Sequence, residues 1–81
     1  MGQKIKMFWD FRGMSALQFA KHHIIHLEEY AVAENLQYRD FSFEEYTDMY
    51  AAAVMIVDES EMMKVRDELK PNRAEYADEV K

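Results

Sequence analysis

Three histidines, His22, His23 and His26, fall within five residues of one another and are the only histidines in the chain. Residues four apart on a helix share a face, so His22 and His26 can offer two imidazoles to one ion. Glu29, a further turn along, falls on the same side. Two histidines and a carboxylate are a chemically sensible set for Zn, Ni or Cu, with another ligand drawn from elsewhere. The pair lacks the adjacent glutamate of a metalloprotease helix, and solvated or interface histidines are the simpler reading. His23 falls at the border of the apolar stripe of the same helix, as a partly buried structural side chain would.

Other chemistry is thinner. Asp10 and Arg12 project from the polar side of one strand, where Arg12 could hold a carboxylate or phosphate and Asp10 could act on a proton. A cross-strand ion pair or plain solvation explains them as well. Ser15 and Ser42 occupy cap positions, and neither they nor Ser60 sits in a Gly-x-Ser-x-Gly elbow. With two glycines in the chain, Gly2 and Gly13, the usual phosphate-cradling loops are excluded. The acidic segments lack the ligand alternation of a calcium loop. No cysteine is present, so disulfides and thiolate metal sites are excluded too.

The 81 residues make a single domain, 1–81, and a domain this small has a thin stability margin. Residues 1–26 carry four Lys/Arg against one Asp, and residues 27–81 carry six against fifteen Asp/Glu. The net charge of −6 repels a phosphate backbone, so no nucleic-acid partner is expected. No apolar run reaches the ~20 residues of a membrane span, and a cytoplasmic location is the expectation.

The elements follow from periodicity. Ile5, Met7, Trp9 and Phe11 alternate with Lys4, Lys6, Asp10 and Arg12, which predicts a strand over 4–12 with Gly13 supplying the turn. Ser15 with Gln18 has the spacing of a capping box, and Met14 with Phe19 that of a hydrophobic staple. Leu17, Ala20, Ile24, Leu27 and Ala31 then recur at helical spacing through 16–35. Residues 38–49 admit two readings: a strand over 38–43, which is favoured, or a short helix over 43–49 capped by Ser42 and Glu45. The run Tyr50–Val57 predicts a buried central strand. Asp58 and Glu61 open a second helix with Met62, Val65 and Leu69 on its apolar side, and Pro71 stops it. Residues 71–81 read as a short helix capped by Asn72 and Glu75, or as a frayed tail.

The expected class is therefore α+β. It has an antiparallel sheet of about three strands covered on one face by two helices, in the order β-α-(β)-β-α. The order resembles a ferredoxin-like fold without an obvious fourth strand, a likeness of topology that implies no chemistry. Phe8, with the outward side of the run containing Met55, should leave the second sheet face apolar. Such a face points to a homodimer with Phe8 and Met55 in its interface. The expected function is a non-enzymatic homodimeric or small-ligand-binding module with no cofactor. The alternative is a metal-binding protein or metal-dependent enzyme built on His22, His26 and Glu29.

Overall fold

The computed structural model describes residues 3–37 and 39–77. Its elements are β1 (Lys4–Arg12), α1 (Ala16–Ala33), β2 (Arg39–Thr47), β3 (Tyr50–Asp58), a 3-10 turn (Glu59–Glu61), α2 (Met62–Leu69) and β4 (Arg73–Tyr76). The four strands form one antiparallel sheet in the order β2-β3-β1-β4. The class is α+β as expected, but the sheet has four strands rather than three.

Strand alternation sorts the side chains into two sets. Ile5, Met7 and Trp9 of β1 join Ala51, Ala53, Met55 and Val57 of β3 in one buried cluster with Ala16, Ala20, Leu27 and Ala31 of α1 and Val65 of α2. Alanines on both sides of this contact let α1 approach β3 closely, since neither backbone is held off by a long side chain. The even-numbered residues Phe8, Ala52 and Val54 form a separate cluster on the opposite face. The sequence run Tyr50–Val57 is apolar throughout because β3 is central and both its faces are covered.

The start of α1 differs from the expected capping box. Ser15 makes no side-chain cap hydrogen bond, and the Ala16 N–H donates to the Gly13 carbonyl at 3.1 Å. Gly13 adopts a φ of 113°, which a residue with a Cβ rarely tolerates, and its own N–H ties β1 to the Met49 carbonyl at 2.9 Å. Met14 is 87% exposed, so it forms no staple. The far end of α1 is closed by a Schellman motif. Asn35 sits at φ 52°, its N–H reaches the Val32 carbonyl and that of Leu36 reaches the Ala31 carbonyl, while buried Leu36 supplies the apolar contact.

Residues 39–47 are a strand, so the Ser42/Glu45 pattern caps nothing; Tyr38 lies outside the described residues. At the second helix, the Asp58 carboxylate accepts from the Ser60 N–H at 3.0 Å, whereas Glu61 accepts from the Gln37 N–H at 2.9 Å. Tyr30, Glu34 and Gln37 meet Glu68, Lys64 and Glu61 in turn, so the end of α1 and α2 run antiparallel. Lys70 ends α2 in the left-handed region at φ 51°, directly before Pro71.

The expectation of a short helix or frayed tail over 71–81 is corrected for the described part: Arg73–Tyr76 is an edge strand paired with β1. The cause is the free backbone edge of β1. Asn72 donates its N–H to the Phe8 carbonyl at 2.8 Å and accepts the Asp10 N–H on its side-chain oxygen at 2.7 Å, which aligns the chain for pairing. Residues 78–81 lie outside the described residues.

Candidate functional site

His22 and His26 are both exposed, and their Nε2 atoms lie 3.2 Å apart with the rings nearly perpendicular. Glu29 is 3.7 Å from His26 Nδ1, the opposite ring nitrogen. The three residues therefore share one side of α1, but they do not converge on one point. Among the described residues, no group of three or more His, Cys, Asp or Glu could hold a metal ion.

His23 is half-buried against Trp9 and Phe11, with ring centroids 5.5 and 5.6 Å away. Its Nε2 is buried and has no hydrogen-bond partner among the described residues. Burial first, then the neighbouring His26 and His22, lowers its pKa from the ordinary 6.5 and keeps it neutral.

The sheet face away from the helices carries the most developed polar geometry. Register and alternation place Lys4, Lys6, Phe8, Asp10 and Arg12 of β1 there. They stand beside Tyr50, Ala52, Val54, Ile56 and Asp58 of β3, Asp40, Ser42 and Glu44 of β2, and Arg73 and Glu75 of β4. Tyr46, at a register shift between Glu45 and Thr47, joins them through its bonds to Glu44 and Arg73. Met55 points the other way. It pairs with Met7 and is fully buried under the helices, so the outward residue of that stretch is Ile56. Phe8 faces outward as expected but is only 2% exposed. The Arg73 guanidinium lies 4.0 Å from its ring centroid and Lys6 Nζ 5.6 Å, so cationic side chains roof the apolar centre.

A hydrogen-bonded network crosses this face. Lys6 Nζ donates to Glu44 at 3.5 Å, Tyr46 Oη donates to Glu44 at 2.7 Å, and Arg73 donates to Tyr46 Oη at 2.8 Å and to Asp10 at 3.2 Å. It joins both edge strands to β1 across β3, and Ala52, in the row between Asp10 and Glu44, leaves room for it. Asp10 raises the Arg73 pKa further, so that cation is permanent. Tyr46 is also raised, by partial burial and then by its bond to Glu44, so it stays a phenol and keeps donating. At one end, Arg12 stacks on Tyr50 at 4.0 Å, and Tyr50 lies 4.6 Å from Tyr46. Asp10 thus pairs with Arg73 and not with Arg12, which has no ion-pair partner among the described residues. Nothing in the sequence pattern marks Arg73, Tyr46 or Tyr50 as members of a polar site. The one signal is for the strand that carries Arg73, since Arg73/Ala74/Glu75/Tyr76 alternates polar and apolar.

Elsewhere, Ile5, Met62, Ala74, Glu75 and Tyr76 line a cleft of about 170 Å³ between β4 and α2. That is well below the ~300 Å³ at which pockets for drug-sized ligands begin. No described helix is long and apolar enough to cross a membrane. No family model matches the chain, and neither a curated protein nor a solved structure is significantly similar to it.

Proposed function

We propose that the chain is a non-enzymatic, ferredoxin-like homodimeric module whose two copies pack open sheet face against open sheet face. The fold reading draws support from the element order β-α-β-β-α-β combined with the strand order β2-β3-β1-β4, in which each helix links strands that flank a third. One observation carries the functional reading: the face without helices is almost charge-balanced. Lys4, Lys6, Arg12 and Arg73 stand against Asp10, Asp40, Glu44, Asp58 and Glu75, four cations to five anions, in a chain of net charge −6.

A twofold axis sets the same patch against itself, so such a face can meet its copy with each cation near an anion. Tyr46 and Tyr50 add the aromatic content typical of interfaces. With a rise of ~3.3 Å per residue and ~4.8 Å between strands, the face offers roughly 500 Å² per copy. Twice that reaches the ~1,000 Å² that a specific interface needs. The network supports a binding role over catalysis, because its acids and bases already satisfy one another.

The test uses Ile56, which stands on this face between Lys6 and Asp40 and is only partly buried. Ile56→Glu can pair with Lys6 in the single copy but puts an unmatched charge into the interface. Light scattering after size exclusion should give a dimer for the wild type, a folded monomer for Ile56→Glu, and a dimer for Ile25→Glu on the outer side of α1. A wild type that is monomeric at about 100 µM, well above weak-dimer affinities, would overturn the proposal. So would dissociation by Ile25→Glu alone.

A further inference from the structure

We propose that His22 and His26 form a two-imidazole site for a divalent transition-metal ion of the zinc class on the outer side of α1, with Glu29 orienting His26 from behind. The site is separate from the open sheet face, so it stands or falls independently of association.

Geometry carries the case. Two nitrogens bound to one tetrahedral ion at ~2.0–2.1 Å lie about 3.3 Å apart. The two Nε2 atoms are 3.2 Å apart in the chain alone, with both rings exposed. The helix achieves this by ordinary means, since residues four apart sit one above the other and both imidazoles lean the same way. Without an ion, this approach is satisfied when one ring donates N–H to the other. For both to bind one ion, the donating ring takes the tautomer protonated at Nδ1, so that two neutral imidazoles each turn an Nε2 lone pair to one centre.

Glu29 biases the tautomer of His26 electrostatically, from beyond hydrogen-bonding distance. Its carboxylate lies 3.7 Å from His26 Nδ1, on the far side of the ring from His22. A carboxylate there favours the tautomer that carries its proton on Nδ1, leaving Nε2 bare and directed at His22. Ligating histidines are commonly oriented by a carboxylate that accepts this N–H from outside the coordination sphere. Glu29 is near enough to make that hydrogen bond by a small side-chain movement. This role also explains why Glu29 does not converge with the two rings.

His23, although adjacent in sequence, is excluded because its ring lies against Trp9 and Phe11. Two imidazoles with water at the other positions select zinc, nickel or copper over magnesium or calcium, which prefer all-oxygen shells.

The experiment is a calorimetric titration of the chelator-treated full chain with zinc chloride, alongside magnesium chloride. The variants are His22→Ala, His26→Ala, Glu29→Gln and the neighbouring control Glu28→Gln, each checked for fold by circular dichroism. The expected result is one zinc per chain and no magnesium. Loss of either His22 or His26 should weaken zinc binding at least roughly tenfold, Glu29→Gln should weaken it about tenfold, and Glu28→Gln should leave it unchanged. Wild-type affinity retained in His22→Ala or His26→Ala would overturn the site, as would the absence of zinc uptake or equal uptake of magnesium. Equal affinities for Glu29→Gln and Glu28→Gln would remove Glu29 from it.

Discussion

Trp9 carries two separable contributions, and removing them in turn tests how the sheet holds the second helix. Its indole is 6% exposed in the helix-side core, and its Nε1–H donates to the Leu69 carbonyl at 2.9 Å. That carbonyl belongs to the last residue of α2, where the helix supplies no partner of its own. Trp9→Ala removes both contributions and leaves a cavity, which costs about 3–5 kcal/mol. An 81-residue chain has a total of only ~4–12 kcal/mol to lose, so this variant should sit at the edge of folding. Trp9→Phe keeps much of the ring but leaves the Leu69 carbonyl without its donor, at a cost of about 1–2 kcal/mol. Exposed His22→Ala should stay within about 0.5 kcal/mol of the wild type. Urea unfolding followed by far-UV circular dichroism ranks the three. At a slope near 1 kcal/mol per molar, each ~1 kcal/mol moves the midpoint by roughly 1 M. If Trp9→Ala were no worse than His22→Ala, the assignment of α1 faces would be refuted. If Trp9→Phe matched Trp9→Ala, the hydrogen bond rather than the ring volume would dominate, against this reasoning.

Arg73→Ala should uncover Phe8 and leave the Asp10 carboxylate without its cation, lowering stability by about 1 kcal/mol for a partly exposed pair. Increased binding of an apolar dye, compared with Lys70→Ala, would register the uncovered ring. A third prediction concerns pH. His23 has its pKa lowered from 6.5 by burial, so below 6.5 the unfolded chain takes up protons that the native state refuses. Stability should therefore fall as pH drops through that window and should be fully retained above it. Melting temperatures at pH 7.5 and 5.5 in chelator-treated buffer should differ less for His23→Leu than for the wild type. An unchanged difference would show that the imidazole is already protonated in the native state.

The parts of the fold that sequence periodicity revealed are those whose second face is mostly charged or polar. Ile5, Met7 and Trp9 alternate against charges, and β1 lies where that pattern requires; Leu27 and Ala31 do the same for α1. In β3 the periodicity is absent because both faces are covered, so nothing in the run Ala51–Val57 told Met55 from Ile56. For β4 the difficulty was different. Four residues give too short an alternation, and Arg73 and Glu75 make the segment look solvated, although charged residues are normal on an edge strand. Ser15 has a capping residue's chemistry, but its backbone, at φ −107° and ψ 24°, is outside the extended region from which a cap side chain reaches the helix N–H groups. As for the candidate site, the His22/His26 pair was legible because it is local, at fixed helical spacing. The Lys6–Glu44–Tyr46–Arg73–Asp10 network was not, because it depends on the register of strands distant in sequence.

The association of open sheet faces is tested most directly by contacts between two differently labelled copies. In an equal mixture of isotope-labelled and unlabelled chain, filtered nuclear Overhauser spectra report only proton pairs that bridge two molecules. Such signals are expected from the Ile56 methyls and from the Tyr46 and Tyr50 rings, and none from Ile25 or Val32 on the outer side of α1. Intermolecular signals confined to Ile25 and Val32, or none at a concentration of several hundred micromolar, would contradict that association.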